Sequence, residues 1–170
     1  MRNSGFQLRV HPTWSLVLAS ALALALSAGC ATRLVPDYDR ELATGLRAIS
    51  ASILGLFAGG TGGLSKGTYA KREHTYSQLI GGLQSLRLQS ESRPAPDRRI
   101  SEVLSVPDPD PDCDSDIPTT CSLDYMIGVL EQMRLADRKQ GVSTTEVAAF
   151  RGSMEGYMHN ALTYENALQR

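Results

Sequence analysis

STTEVAAFRGSMEGYMHNALTYENAL, residues 143–168, is the stretch that decides the fold. Val147, Phe150, Met154, Tyr157, Ala161, Tyr164 and Leu168 recur at alternating steps of three and four, which places them on one stripe of a helix. Ser143 and Glu146 supply the capping-box pattern at its start, hydroxyl and carboxylate each reaching a backbone donor of the first turn. A seam of this length cannot bury itself, so it needs partner helices.

Those partners are found by moving towards the N-terminus. From Ser122 to about Gln140, Leu123, Met126, Ile127, Leu130 and Met133 form a second stripe, with Gly141 where a left-handed cap is expected. Further back, Lys66 to Ser92 carries Tyr69, Tyr76, Ile80, Leu83 and Leu86, and Arg93-Pro94 ends it. The first helix runs from Asp37, its expected cap, to Ala58 with Tyr38, Leu42, Leu46, Ile49, Ile53 and Leu56 on one face. Gly59, Gly60, Gly62 and Gly63 then interrupt the pattern and predict a flexible turn. Pro94, Pro96, Pro107, Pro109, Pro111 and Pro118 crowd the middle of the chain, enclosing Ile100, Val103 and Leu104, which predict two turns of helix capped by Asp97. The expectation is an all-α fold: a four-helix bundle of two helical hairpins, helices roughly 27 to 40 Å long. A proline- and Asp-rich crossover over residues 94–121 would join the hairpins within a single domain of residues 37–170.

The N-terminus has a different character. Arg2 and Arg9 precede an apolar stretch from Trp14 to Leu26, then Ser27-Ala28-Gly29-Cys30, and nothing acidic interrupts it. This is the three-part layout of an export signal, and its apolar stretch falls short of the roughly 20 residues that cross a bilayer. No later window approaches that length without strongly polar residues, so no membrane-spanning segment is expected. The end of the leader resembles the lipobox of bacterial lipoproteins, in which Leu, Ala or Ser, and Gly or Ala precede Cys. Ala28, Gly29 and Cys30 match, while Ser27 stands where Leu is commonest and Leu26 lies one position upstream. The resemblance extends from Met1 to Ala31 and no further. It implies a signal peptide over residues 1–29, lipidation at Cys30, and a tether over residues 30–36. It also implies attachment to the membrane through that lipid, at the cell envelope. Ala31, where Asp would favour inner-membrane retention, points to the outer membrane, facing the periplasm, in a host that has one.

Counting thiols fits the same resemblance. The chain has three cysteines; with Cys30 consumed by lipid, Cys113 and Cys121 remain as an even pair able to bridge in an oxidising compartment. Closing so short a loop restricts the unfolded chain by roughly 2.5 kcal/mol.

The leader takes two of the 17 basic residues and none of the 18 acidic ones, which leaves the chain from Cys30 to Arg170 with a net charge of about −3. Near-neutrality and 6% aromatic content argue against nucleic acid as a partner. Asp108, Asp110, Asp112, Asp114 and Asp116 suggest calcium, but a loop started at Asp108 or at Asp110 lacks the Gly at its sixth position and the Glu at its twelfth that an EF-hand requires. They read instead as a solvated acidic loop and a candidate docking site for a basic partner. His74 and His159 lack the Glu-x-x-His spacing of di-iron bundles, and no zinc, haem or nucleophile motif occurs. No enzyme activity, cofactor or metal is therefore expected.

Beside the seam of the last helix, Ala149, Gly152, Ser153, Gly156 and Asn160 form a stripe of small residues. Glycine inside a helix costs up to about 1 kcal/mol relative to alanine, so Gly152 and Gly156 suggest that another backbone comes close. That backbone would belong to a neighbouring helix or to a docked partner. The functional expectation is an envelope lipoprotein acting as a structural or protein-interaction module, binding another envelope protein or itself. A periplasmic bundle holding a small ligand or metal between its helices is the alternative.

Overall fold

The computed structural model describes residues 36–95 and 113–169 and is all-α. Four long helices, α1 (Arg40–Gly59), α2 (Glu73–Glu91), α3 (Pro118–Lys139) and α4 (Thr144–Leu168), pack antiparallel, and a 3-10 helix (Lys66–Lys71) leads into α2. They close a ring in which α1 touches α2 and α4, and α3 touches the same two more extensively. The helix ends flanking residues 94–117 lie side by side: Ser90 Oγ of α2 is 2.8 Å from Thr120 Oγ1 of α3. That connection therefore joins adjacent, antiparallel helices. The leader, Cys30 and its tether, the expected turns around Ile100, and Asp108, Asp110 and Asp112 lie outside the described residues.

Local chemistry sets each helix boundary. Asp39, not Asp37, caps α1, because from position 39 its carboxylate reaches two free donors of the first turn, Glu41 N at 2.9 Å and Leu42 N at 3.0 Å. Helix α3 begins at Pro118, ahead of the apolar stripe that starts at Ser122, since proline at the first helical position loses no hydrogen bond. Its opening turn is buried through Thr119, Thr120 and Cys121, which hides it from a search for apolar periodicity. The capping box ahead of α4 is present, Glu146 N donating to Ser143 Oγ at 3.3 Å and Ser143 N to Glu146 Oε2 at 2.8 Å.

The glycine-rich turn is held rather than free. Leu64 and Val142 exchange both backbone hydrogen bonds, at 2.7 and 2.8 Å, in an isolated antiparallel bridge that ties the two hairpin turns together. Gly63 and Gly141 flank it with φ of 90° and 88°. A Cβ on Gly141 would collide with the Leu64 carbonyl oxygen, so the close approach itself requires glycine there.

Between the helices, Leu42, Leu46, Ile53 and Phe57 meet Tyr76, Leu83, Leu123, Met126, Leu130, Met133 and Met154, all essentially inaccessible to solvent. The seam on α4 departs from expectation. Phe150 and Tyr157 are only half-buried, while Met158 and Glu165 turn inward. A straight α-helix drifts away from a strict seven-residue repeat, and along α4 the drift moves the inner face by one position. Tyr157 is not wasted, stacking on Tyr125 of α3 with ring centroids 5.0 Å apart.

One further expectation is corrected. Gly152 and Gly156 face outward, with no atom of a neighbouring element among the described residues within 4 Å of an added Cβ, so none of the four helices explains them. By length and composition α1 could cross a membrane, with a mean hydropathy of 1.5 over its most apolar window. That value is carried mostly by Leu42, Leu46, Ile53, Leu56 and Phe57, which are buried inside the bundle, while the outer face is mostly Ala, Ser and Gly.

Stability measurements in urea should separate these positions by sign. Leu130→Ala, which empties a core site, should cost about 2–5 kcal/mol. Gly152→Ala fills open space on a helix and should instead stabilise by up to about 1 kcal/mol.

Candidate functional site

Two carboxylates lie wholly inside the bundle, one near each end. At the hairpin-turn end, Asp137 in the last turns of α3 is inaccessible and receives a two-pronged contact from Arg72, Nε to Oδ2 at 2.8 Å and Nη2 to Oδ1 at 2.7 Å. Tyr76 donates its hydroxyl to Oδ2 at 3.2 Å. Arg72, the residue between the 3-10 helix and α2, also donates to Thr68 Oγ1 at 2.7 Å and to the Ser65 carbonyl at 2.9 Å. The bond to Asp137 raises the guanidinium pKa above its ordinary value. Burial first, and then the Asp137 charge, pushes the Tyr76 phenol well up, so it stays a neutral donor.

At the opposite end, Glu165 of α4 accepts from Arg93 Nη1 at 3.0 Å and Nη2 at 2.6 Å, and from Thr119 Oγ1 at 2.6 Å. The carboxylate is fully buried and Arg93 nearly so. The Ser90–Thr120 contact sits beside it, and Gln89 donates to Asp39 Oδ2 at 2.8 Å. Among the described residues, Arg93 Nε and the Tyr164 hydroxyl, both buried here, have no hydrogen-bond partner. Burial pushes the Tyr164 phenol up to about 12, against the opposing pull of Arg93 and with the added effect of Glu165.

Cys113 and Cys121 form the expected disulfide, Cα atoms 5.8 Å apart, closing the chain that enters α3 onto its first turn. Asp114 and Asp116 are exposed in that same approach to α3. Gly152 and Gly156, on the outer face of α4, stand apart from these acids. His74 and His159 are both exposed, and among the described residues no three His, Cys, Asp or Glu side chains converge as a metal set. A surface depression of about 420 Å³ lies over the joined hairpin turns, lined by Leu64, Gln140, Gly141, Val142, Ser143 and Glu146.

Chemically, both carboxylates are committed: each is held by a guanidinium and a hydroxyl. Neither faces a nucleophile or an open cavity in the described residues. They are braces that position the two hairpins. No family model, curated protein or solved structure matches the chain.

Neither buried acid was expected from the sequence, yet a signal is there. Asp137 continues the spacing Leu130, Met133, and Glu165 continues Met158, Ala161, so each carboxylate lies in phase with an apolar stripe. A charge in that register must be neutralised by something facing it.

Removing one member of either pair leaves the other buried and alone. Asp137→Ala and Glu165→Ala should each cost about 3–5 kcal/mol by chemical denaturation. The pair Arg72→Met with Asp137→Leu should recover most of its loss. Acid should weaken the fold through Asp39 and Glu146. Burial raises the Asp39 carboxyl, but the amides of Leu42 and Glu41 and the Gln89 side chain outweigh it and hold it below its ordinary value. The Ser143 hydroxyl and amide hold Glu146 low in the same way. A carboxyl lowered by folding contributes above its unfolded pKa, about 4, and loses that contribution as pH falls through the folded value. Melting followed from pH 6 down to pH 2 should therefore show a decline that flattens in Asp39→Asn.

Proposed function

We propose that the chain is an exported lipoprotein whose helical bundle is held at the cell envelope through lipid on Cys30 and acts there as a structural or protein-interaction module. The observation that carries the reading is an accounting of sulfur. Cys113 and Cys121 are joined to each other, which leaves Cys30 as the odd cysteine, directly behind an apolar leader and the small residues Ser27, Ala28 and Gly29. A disulfide also suits an oxidising compartment such as the periplasm.

An interaction role is supported by the outer face of α1. No charged residue occurs between Arg47 and Lys66, and Ala48, Ala51, Ser52, Gly55 and Ala58 are exposed beside Leu54, itself 38% accessible. The exposed faces of the other helices carry charge, including Glu73 and Glu91 on α2, Arg138 and Lys139 on α3, and Arg151 and Glu155 on α4. Together with the open face at Gly152 and Gly156 and the acidic approach through Asp114 and Asp116, this makes an envelope protein or a second copy of the chain the proposed partner class.

Mass spectrometry of the protein extracted from membranes should find a chain that begins at Cys30 and bears a diacylglyceryl thioether on that residue. Cys30→Ser should move the protein from the membrane to the soluble fraction. A free Cys30 thiol, or an unchanged fractionation of the variant, would overturn the anchor.

A further inference from the structure

The disulfide stands where the two hairpins meet through uncharged hydroxyls as well as an ion pair. Helix α3 starts without a side-chain cap hydrogen bond, its N-cap position being Ile117, so the chain entering it has to steady the first turn. That chain is fastened by Cys113–Cys121, a loop spanning eight positions. Within the loop, Thr119 and Thr120 are wholly buried and make the turn's cross-bundle contacts, to Glu165 and to Ser90. Cys113 is half-buried and Cys121 only 4% accessible, so a small reductant meets the pair from the Cys113 side.

We propose that Cys113–Cys121 is a redox-sensitive latch that holds the first turn of α3 into the Arg93–Glu165 cluster and, on reduction, releases that end of the bundle while the hairpin-turn end stays closed. The reductant is a dithiol. Its thiolate attacks the Cys113 sulfur, the S–S bond breaks, and the electron pair leaves on Cys121. The N-terminal turn of a helix stabilises the departing thiolate, which then takes a proton. The second thiol of the reductant displaces Cys113 from the mixed disulfide. Two electrons and two protons have then passed from the reductant, now a disulfide, to the protein.

The two ends differ in what is left after that exchange. At the crossover end, reduction removes the covalent tie from a first turn that has no side-chain cap to replace it, and the hydroxyl contacts of Thr119 and Thr120 depend on that turn. At the hairpin-turn end, the Leu64–Val142 bridge and the Arg72–Asp137 pair contain no sulfur and remain. Local opening of this kind is read directly by amide exchange.

Hydrogen exchange on the full-length protein, oxidised and after dithiothreitol, tests the latch. The amides of Cys121 to Tyr125 should exchange roughly tenfold faster or more when reduced, and oxidised glutathione should restore them. The amides of Leu64 and Val142 should keep their protection. Tyr164 should in parallel titrate nearer the ordinary tyrosine range once its end of the bundle opens. Cys113→Ser with Cys121→Ser should reproduce the reduced pattern; should that variant not fold, the wild-type comparison reads the same quantity. Equal loss of protection at both ends would make the bond a general staple, and unchanged protection of α3 would make it idle. Either result overturns the proposal.

Discussion

Each end of this bundle contains a carboxylate that its own hairpin does not neutralise. Asp137 and Glu165 belong to the second hairpin, Arg72 and Arg93 to the first, and all four are wholly or largely buried where they meet. Desolvating a carboxylate costs several kcal/mol, and a guanidinium fork with a hydroxyl beside it offsets that cost only at one geometry. Apolar stripes are more permissive. Leu, Ile and Met facing one another could slide by a whole helical turn and still find apolar neighbours. Two ion pairs separated by most of the bundle's length forbid that slide, because both cannot be satisfied in a shifted register. Once desolvation is counted the pairs add little net stability, and they contribute more to the uniqueness of the arrangement.

The irregular beginning of the second helix follows from the same constraint. A 3-10 turn is tighter than an α-turn and rarely runs long, so a six-residue stretch ahead of α2 needs a reason. Arg72 supplies it. Its guanidinium is bonded at once to Ser65, Thr68 and Asp137, which draws the chain of residues 65–68 in beneath it while its other face reaches α3. The neighbouring Leu64–Val142 bridge then fixes both hairpin turns to one another. A glycine cluster that in isolation would be mobile is shaped here by two long-range contacts.

The parts of the fold legible in the sequence are those written in apolar period and capping residues. The four helices, the Ser143 and Glu146 box and the cysteine pair belong to this class because each depends on neighbours within a few positions or on simple parity. What stayed hidden depends on partners far away in the chain. Thr119 and Thr120 look like loop residues until Ser90 and Glu165 are beside them, and Glu165 looks like a surface acid until Arg93 faces it. Tyr157 and Met158 exchange places for a subtler reason, since a seven-residue template and an ideal α-helix disagree by about 20° per repeat. Of the candidate interaction residues, Gly152 and Gly156 were legible as a shared face but not as an exposed one, because glycine spacing is the same whether a neighbour is present or absent.

The uncharged part of the outer face of α1, beyond Arg47, bears on how a tethered bundle would meet a partner. Seen as a helix alone, α1 is apolar enough to enter a bilayer, yet Leu42, Leu46, Ile53 and Phe57 are already spent on the core. What remains outside is mostly Ala, Ser and Gly, which gain little from hydrocarbon because they offer little area at about 25 cal/mol per Å². The same small side chains allow a second backbone to come near, where dispersion and weak backbone contacts act over a short distance. A protein surface therefore suits this face better than lipid does, and the membrane's part, on the proposed reading, is to hold the bundle through Cys30 while α1 remains free to be covered by protein.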